Sequence, residues 1–180
     1  MIRTLGTTII VTAMLAGCAG PVATRIDSRS AEALPEQGRY MLAEAPGDTV
    51  PMLDAAQQQV IASLSRQGWQ HGDETADYML LVTLSERSAA IGLKAVGDDT
   101  ARTIATPKEQ EFLQSCEDVE HRLTISLLRQ SDGSTAYNGS AAEHHCKAGL
   151  AESMPHLVAA ALADFGRPGG QRVVHRKGVE

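Results

Sequence analysis

The strongest pattern in this chain has a period of two. From Asp77 to Arg87 (DYMLLVTLSER), Tyr78, Leu80, Val82 and Leu84 fall on one face. Met79 and Leu81 make the first half apolar on both faces, which predicts a central strand. From Val119 to Arg129, Val119, His121, Leu123, Ile125 and Leu127 face one way. Glu120, Arg122, Thr124 and Ser126 face the other. Ser131-Asp132-Gly133 is a tight hairpin signal, and Thr135 to Glu143 returns as a weaker strand with Tyr137 on the inner face. Arg39 to Ala43 is a short first strand, broken at Pro46-Gly47-Asp48, and Arg172 to His175 is a short edge strand.

A helical period appears twice. Leu53, Ala56, Val60 and Leu64 make one stripe, predicting a helix from Thr49 as N-cap, through Pro51 in the first turn, to Gln67, with Gly68 after its end. Leu157, Val158, Ala161, Leu162 and Phe165 make another, predicting a helix from Ser153 as N-cap, with Pro155 in its first turn, to Phe165 and a stop at Gly166. Trp69-Gln70-His71 leads into a turn at Gly72-Asp73-Glu74. Residues 88–115 read as a mobile hairpin or long loop, with Ile91, Leu93 and Ala95 in one arm and Arg102 to Ala105 returning as the second. Adjoining strands with few helices predict an α+β fold: a mainly antiparallel sheet with two amphipathic helices packed on one face.

The N-terminus adds a location. Arg3 precedes an apolar run through Ile9, Ile10, Val11 and Met14, the layout of a secretory signal. The run closes on Leu15-Ala16-Gly17-Cys18, which resembles the lipobox of bacterial lipoproteins. That resemblance implies that residues 1–17 are a signal peptide and that Cys18 carries a thioether-linked diacylglycerol and an N-acyl chain such as palmitate. The apolar run is too short to span a bilayer comfortably, so anchoring falls to the lipid chains. Ala19, where an Asp tends to retain lipoproteins at the inner membrane, implies the outer membrane of a Gram-negative bacterium, facing the periplasm. Residues 18–36 (CAGPVATRIDSRSAEALPE) show neither period and read as a lipidated, flexible tether of roughly 25 Å reach. Residues 37–180 then form a single domain.

Formal net charge is −6, and no Lys/Arg stripe runs along any predicted element, so nucleic acid is excluded as a partner. Aromatic residues make up 3% of the chain, too few for stacking platforms. Besides Cys18, the chain holds Cys116 and Cys146, an even pair in an oxidising compartment. Pairing Leu127 with Thr135 places Cys116 opposite Cys146; a two-residue shift makes them diagonal neighbours. The expectation is a disulfide stapling the open end of the hairpin, with two separate buried thiols as the alternative.

Candidate chemistry is sparse. His144-His145-Cys146 beside Glu143 looks like a metal cluster, but strand alternation turns His145 away from His144, and the disulfide would consume the thiol. His121 reads as a partly buried histidine with one hydrogen-bond partner. Ser140, in Asn138-Gly139-Ser140-Ala141, lacks the second glycine of a nucleophile elbow. Asp98-Asp99 and the Glu109, Glu111, Glu117 and Asp118 group lack EF-hand spacing. No catalytic residue, no metal site and no cofactor is expected, and the chain reads as a non-enzyme.

Several motifs in order resemble the bacterial lipoproteins grouped as domain of unknown function 4136. They are Arg39-Tyr40-Met41; Leu64, Gly68 and Trp69; Ala76-Asp77-Tyr78-Met79-Leu80; Tyr137-Asn138-Gly139; and Phe165-Gly166. The likeness covers about residues 38–175. It departs in Tyr137 for a Trp, Gly166 for a Pro, and the cysteine pair. It implies a small α+β envelope lipoprotein and brings no activity. The expected function is a lipid-anchored, periplasm-facing binding or scaffolding module. It would meet an unidentified envelope protein through a sheet edge or the 88–115 segment. One alternative is an accessory subunit of lipid or lipopolysaccharide transport, which requires an acyl-chain groove. Another is a hydrolase or metal enzyme with a pocket near His121 or His144.

Overall fold

The computed structural model describes residues 20–31, 33–43, 52–96, 101–105, 107–109, 114 and 116–178. Cys18, and the expected helix start at Thr49 and Pro51, lie outside the described residues. Along the chain run β1 (Val22–Ser30), β2 (Gly38–Leu42), α1 (Leu53–Arg66), β3 (Trp69–His71), β4 (Tyr78–Ser88), β5 (Leu93–Val96), β6 (Ala101–Ala105), β7 (Val119–Arg129), β8 (Thr135–His145), α2 (Leu150–Ala161) and β9 (Gln171–Arg176). The main sheet has the order β3-β2-β4-β7-β8-β1-β9. Only the β2–β3 and β2–β4 pairs are parallel; the others are antiparallel. This is the α+β, mainly antiparallel architecture that the periodicity predicts. No helix among the described residues is long and apolar enough to cross a membrane.

The tether expectation for residues 18–36 is overturned. Residues 22–30 of that segment form β1, which lies inside the sheet between β8 and β9. Its inward positions are Thr24, Ile26 and Ser28, and its outward ones include Arg25, Asp27 and Arg29. The alternation is present, but two of the three buried side chains are hydroxyls, so hydropathy does not register it. The hydroxyls are satisfied inside: Thr24 Oγ1 donates to Glu143 Oε1 at 2.5 Å, and Ser28 Oγ to Asp164 Oδ2 at 2.5 Å. Trp69–His71, read as the approach to a turn, forms a short parallel edge strand on β2. Residues 93–96 and 101–105 pair as a separate two-stranded hairpin.

Both helices contribute to one hydrophobic cluster. The α1 stripe of Leu53, Ala56, Val60 and Leu64 is buried as the spacing predicts, and Gly68 takes φ +87° to end the helix. Helix α2 begins at Leu150 with Gly149 as N-cap, so Ser153 is not the cap. Glu152 explains the earlier start: its carboxylate accepts the Gly149 N–H at 2.9 Å and covers a donor at the helix entrance. Pro155 consequently sits inside the helix, where it forfeits one backbone bond. Leu157, Val158 and Met154 meet Leu80, Val82, Leu123 and Ile125 in the core, and Trp69 packs edge-on against Phe165. The end of α2 rests on Gly139. Tyr137 Oη donates to the Ala161 carbonyl at 2.6 Å, and a Cβ at position 139 would stand 2.0 Å from that same oxygen.

Of the two hairpin registers, the shifted one occurs: Leu127 pairs with Tyr137 and Ile125 with Gly139, with an irregularity only at Leu128. Pairing ends at Val119 and His145. Cys116 and Cys146 lie just beyond and form a disulfide, with Cα atoms 5.6 Å apart across a separation of 30 residues. Closing a loop of that length constrains the unfolded chain by about 3–4 kcal/mol. The double substitution Cys116→Ser with Cys146→Ser is expected to cost about 3 kcal/mol in chemical denaturation, and an unchanged midpoint would count against the staple. Gly139→Ala is expected to cost at least about 2 kcal/mol, because the contact it meets is helix backbone rather than a movable side chain.

Candidate functional site

The buried carboxylates and histidines of the sheet, Glu120, His121, Glu143 and His145, gather at one end, near the disulfide, in two groups on opposite faces. The inner group follows from register. Glu86 pairs with His121, His121 with Glu143, and Glu143 with Thr24, in one row across β4, β7, β8 and β1. His145, two residues beyond Glu143, lies on the same side.

Every buried partner in this row is satisfied. Glu143 accepts from Thr24, from Arg176 Nε at 2.9 Å and Nη2 at 2.6 Å, and meets His145 Nε2 at 2.9 Å. The His121 and His145 rings stack with centroids 4.9 Å apart. His121 Nδ1 is 2.8 Å from Ser153 Oγ, and its Nε2 is 3.2 Å from Glu86 Oε2. His121 is therefore buried with two polar partners, where the sequence suggested one.

Ser153, His121 and Glu86 make the hydroxyl–imidazole–carboxylate order of a nucleophilic triad. The setting is wrong for attack. Ser153 sits in helix α2, fully buried, and its hydroxyl also reaches the Leu150 carbonyl at 3.1 Å. A substrate has no approach to that Oγ, and the arrangement works as a polar plug between α2 and the sheet.

The outer group centres on Glu120, whose side chain has no solvent exposure. Arg25 Nη2 donates to its Oε2, Arg122 Nε lies 3.1 Å from Oε1, and Arg87 Nε lies 3.1 Å from Oε1. Arg87 Nη2 stands 2.9 Å from the same oxygen, an ion-pair contact rather than an aligned hydrogen bond. His144 Nε2 is 3.4 Å from Oε2. Burial pushes the Glu120 carboxyl up, but bonds from His144 and Arg122 and the charges of Arg122 and Arg87 outweigh it. The carboxyl is held well below the usual range. Beside this group lies a concavity of about 370 Å³, lined by Arg25, Asp27, Arg122, Ser140, Gln171 and Val173 among others.

The residues singled out from sequence divide clearly. Cys116 and Cys146 are joined, so neither thiol is free for a metal. His144 and His145 point to opposite faces, towards Glu120 and Glu143. Among the described residues, no group of three or more His, Cys, Asp or Glu side chains is arranged to hold a metal ion. Ser140 lies on the outer face against Arg122 and Thr124. Sequence reasoning gave Glu120, Arg25, Arg87 and Ser153 no part in a site. The signal for Glu120 was cross-strand: pairing β4 with β7 sets Arg87 opposite Glu120.

No protein-family model matches this chain, and no curated protein matches it. Solved structures do resemble it. A PDZ domain protein from Parabacteroides distasonis is similar with a TM-score of 0.53 and 9% identity, covering 85% of this chain and 39% of that one. A PelC dodecamer from Paraburkholderia phytofirmans is similar with a TM-score of 0.49 and 15% identity, covering 78% of this chain and 95% of that one. At these identities the first likeness speaks for the fold alone: an α+β domain.

The inner group makes stability depend on pH. Burial, then neighbouring His145, lower His121 below its ordinary 6.5, with Glu86 and Glu143 working the other way. The unfolded chain gains a proton near 6.5 that the folded chain resists, so this contribution is complete above that pH and fades below it. Burial raises Glu143, but bonds from His145, Arg176 and Thr24 bring it down to about 2 from 4.5. Its contribution is present above 4.5 and is lost as pH falls towards about 2. The melting temperature is expected to fall in two stages on acidification. His121→Gln should flatten the first stage, between about pH 7 and pH 5, and an unaltered slope there would contradict this account.

Proposed function

We propose that this chain is a lipid-anchored envelope lipoprotein, held by Cys18 on the periplasmic face of the outer membrane, that acts as a non-catalytic binding module. The observation that carries the reading is the leader ending in Leu15-Ala16-Gly17-Cys18. The Cys116–Cys146 disulfide supports it, because such bonds persist in oxidising compartments. The ordered resemblance to the domain of unknown function 4136 lipoproteins points the same way.

The fold alters how such an anchor works. With β1 starting at Val22, at most about 14 Å of chain separates Cys18 from the sheet. The domain then rides against the bilayer rather than on a spacer. Its outer sheet edge is β9, where Val173 is 53% exposed and Val174 39%. An open edge carrying exposed valines favours strand addition by a partner.

The transport reading requires an apolar groove. The space between helices and sheet is instead filled by Trp69, Tyr137, Phe165, Leu64 and Leu157. This favours the binding-module reading.

Mass spectrometry of the chain purified from membranes tests the anchor. The expected mass is that of residues 18–180 plus a diacylglycerol and an acyl chain. Cys18→Ser is expected to lose the lipid and leave the membrane fraction. A native product that retains Met1 and partitions with cytosol would overturn the proposal.

A further inference from the structure

The outer polar group holds more positive charge than its own carboxylate needs. Arg25, Arg87 and Arg122 converge on Glu120 alone, leaving about two positive charges on this patch of a protein whose formal net charge is −6. The other acid at the concavity, Asp27, is already engaged: Gln171 Nε2 donates to it at 2.8 Å and Arg29 Nε stands 3.6 Å away.

The donors are also unequally used. Arg87 is spent on Glu120 and on the Ser88 and Ile91 carbonyls. Arg25 uses only Nη2, on Glu120; the His144 Nε2 that lies 3.3 Å from it is turned to the same carboxylate. Arg122 uses Nε on Glu120 and Nη1 on Ser140 Oγ at 3.2 Å. Nε and Nη1 of Arg25 and Nη2 of Arg122 thus have no protein acceptor among the described residues. Ser140 Oγ accepts from both Arg122 and Thr124, which leaves its own proton to donate. Glu120 and Ser140 hold the Arg122 guanidinium in place before any ligand arrives.

We propose that the concavity beside Arg25, Arg122 and Ser140 is a binding site for a phosphate group. Two arginines with unused N–H donors, a hydroxyl and about two uncompensated positive charges match a tetrahedral dianion. The cavity volume of about 370 Å³ lies in the range of small-molecule sites and leaves room for whatever carries the phosphate. Glu120 and Arg87 are positioning residues. The site stands on this geometry and does not depend on the anchor, although Arg25 lies only seven residues beyond Cys18. A lipid headgroup and a free phosphate ester present the same chemistry here.

Isothermal titration of the full chain in non-ionic detergent with inorganic phosphate tests the site, against chloride at matched ionic strength. Saturable binding is expected with phosphate and not with chloride. Arg122→Gln and Arg25→Gln should each weaken it at least about tenfold, the size of one lost charge-assisted bond. Arg66→Gln, which removes the same charge from the exposed side of α1, should leave it unaltered.

If either variant misfolds, the native chain still decides. Phosphate should protect Arg25 and Arg122, and not Arg66, from phenylglyoxal, read by mass spectrometry. Phosphatidylcholine vesicles carrying phosphatidic acid separate the sources. Vesicle binding that Arg122→Gln abolishes and phosphate competes supports the site with a headgroup as ligand. Binding of phosphate without vesicles supports it with a soluble ester. No saturable phosphate binding, or equal protection of all three arginines, overturns it.

Discussion

The antiparallel pairing of β4 with β7, unbroken from Tyr78–Arg129 to Ser88–Val119, is what the rest of the molecule depends on. It brings Leu80, Val82 and Leu84 against Leu127, Ile125 and Leu123, and so builds the middle of the core. The same register carries on to Glu86 opposite His121 and Arg87 opposite Glu120. Because successive strand residues point to opposite faces, one pairing sets up both polar groups. A slip of one residue would exchange them and drive the arginines into the core.

The sheet is graded along its strands. Rows near the β7–β8 turn are apolar and packed by Trp69, Phe165 and the helices. Rows near the disulfide bury Glu120, His121, Glu143 and His145. Buried ionic groups add little net stability when compared with apolar packing, yet removing one partner is costly. Their retention in one fully paired network, and in one whose carboxylate is paired while arginine donors remain to spare, fits specificity of arrangement better than strength. Glu143 ties together β1, β8 and β9, and His121 ties α2 to β4 and β7. The disulfide holds the end of the sheet where these networks meet.

This grading matters for the proposed role. The strand that leaves Cys18 enters the sheet at its polar end, since Val22 pairs with Arg176 and Thr24 with Glu143. A lipid on Cys18 would hold that end, with Arg25 and the outer concavity, close to the headgroup layer. The inner network, whose His121, Glu143, His145 and Ser153 are buried, ties α2 and β9 to the sheet and serves the fold. The outer network is half-open and electrically unbalanced, which is the condition for binding rather than for structure alone.

Periodicity alone located β4, β7, β8 and both helices, because Leu80, Val82, Leu123, Ile125, Leu53, Val60, Leu157 and Val158 are apolar at the spacing of their own element. It also reached the cysteine pair, since that pairing follows from two strands and a turn that are local in the chain. It did not reach β1, whose inward face is Thr24, Ile26 and Ser28, nor β3, which is three residues long. Strands of that kind exist only because distant partners supply their hydrogen bonds: Glu143 and Asp164 for β1, Tyr40 for β3. The same holds for Glu120 and Ser153. Nothing beside them in the chain marks either as buried, and only the approach of Arg25, Arg87 and Arg122 to one, and of His121 to the other, makes burial affordable. Spacing is a property of neighbours along the chain, whereas charge compensation is a property of neighbours in space.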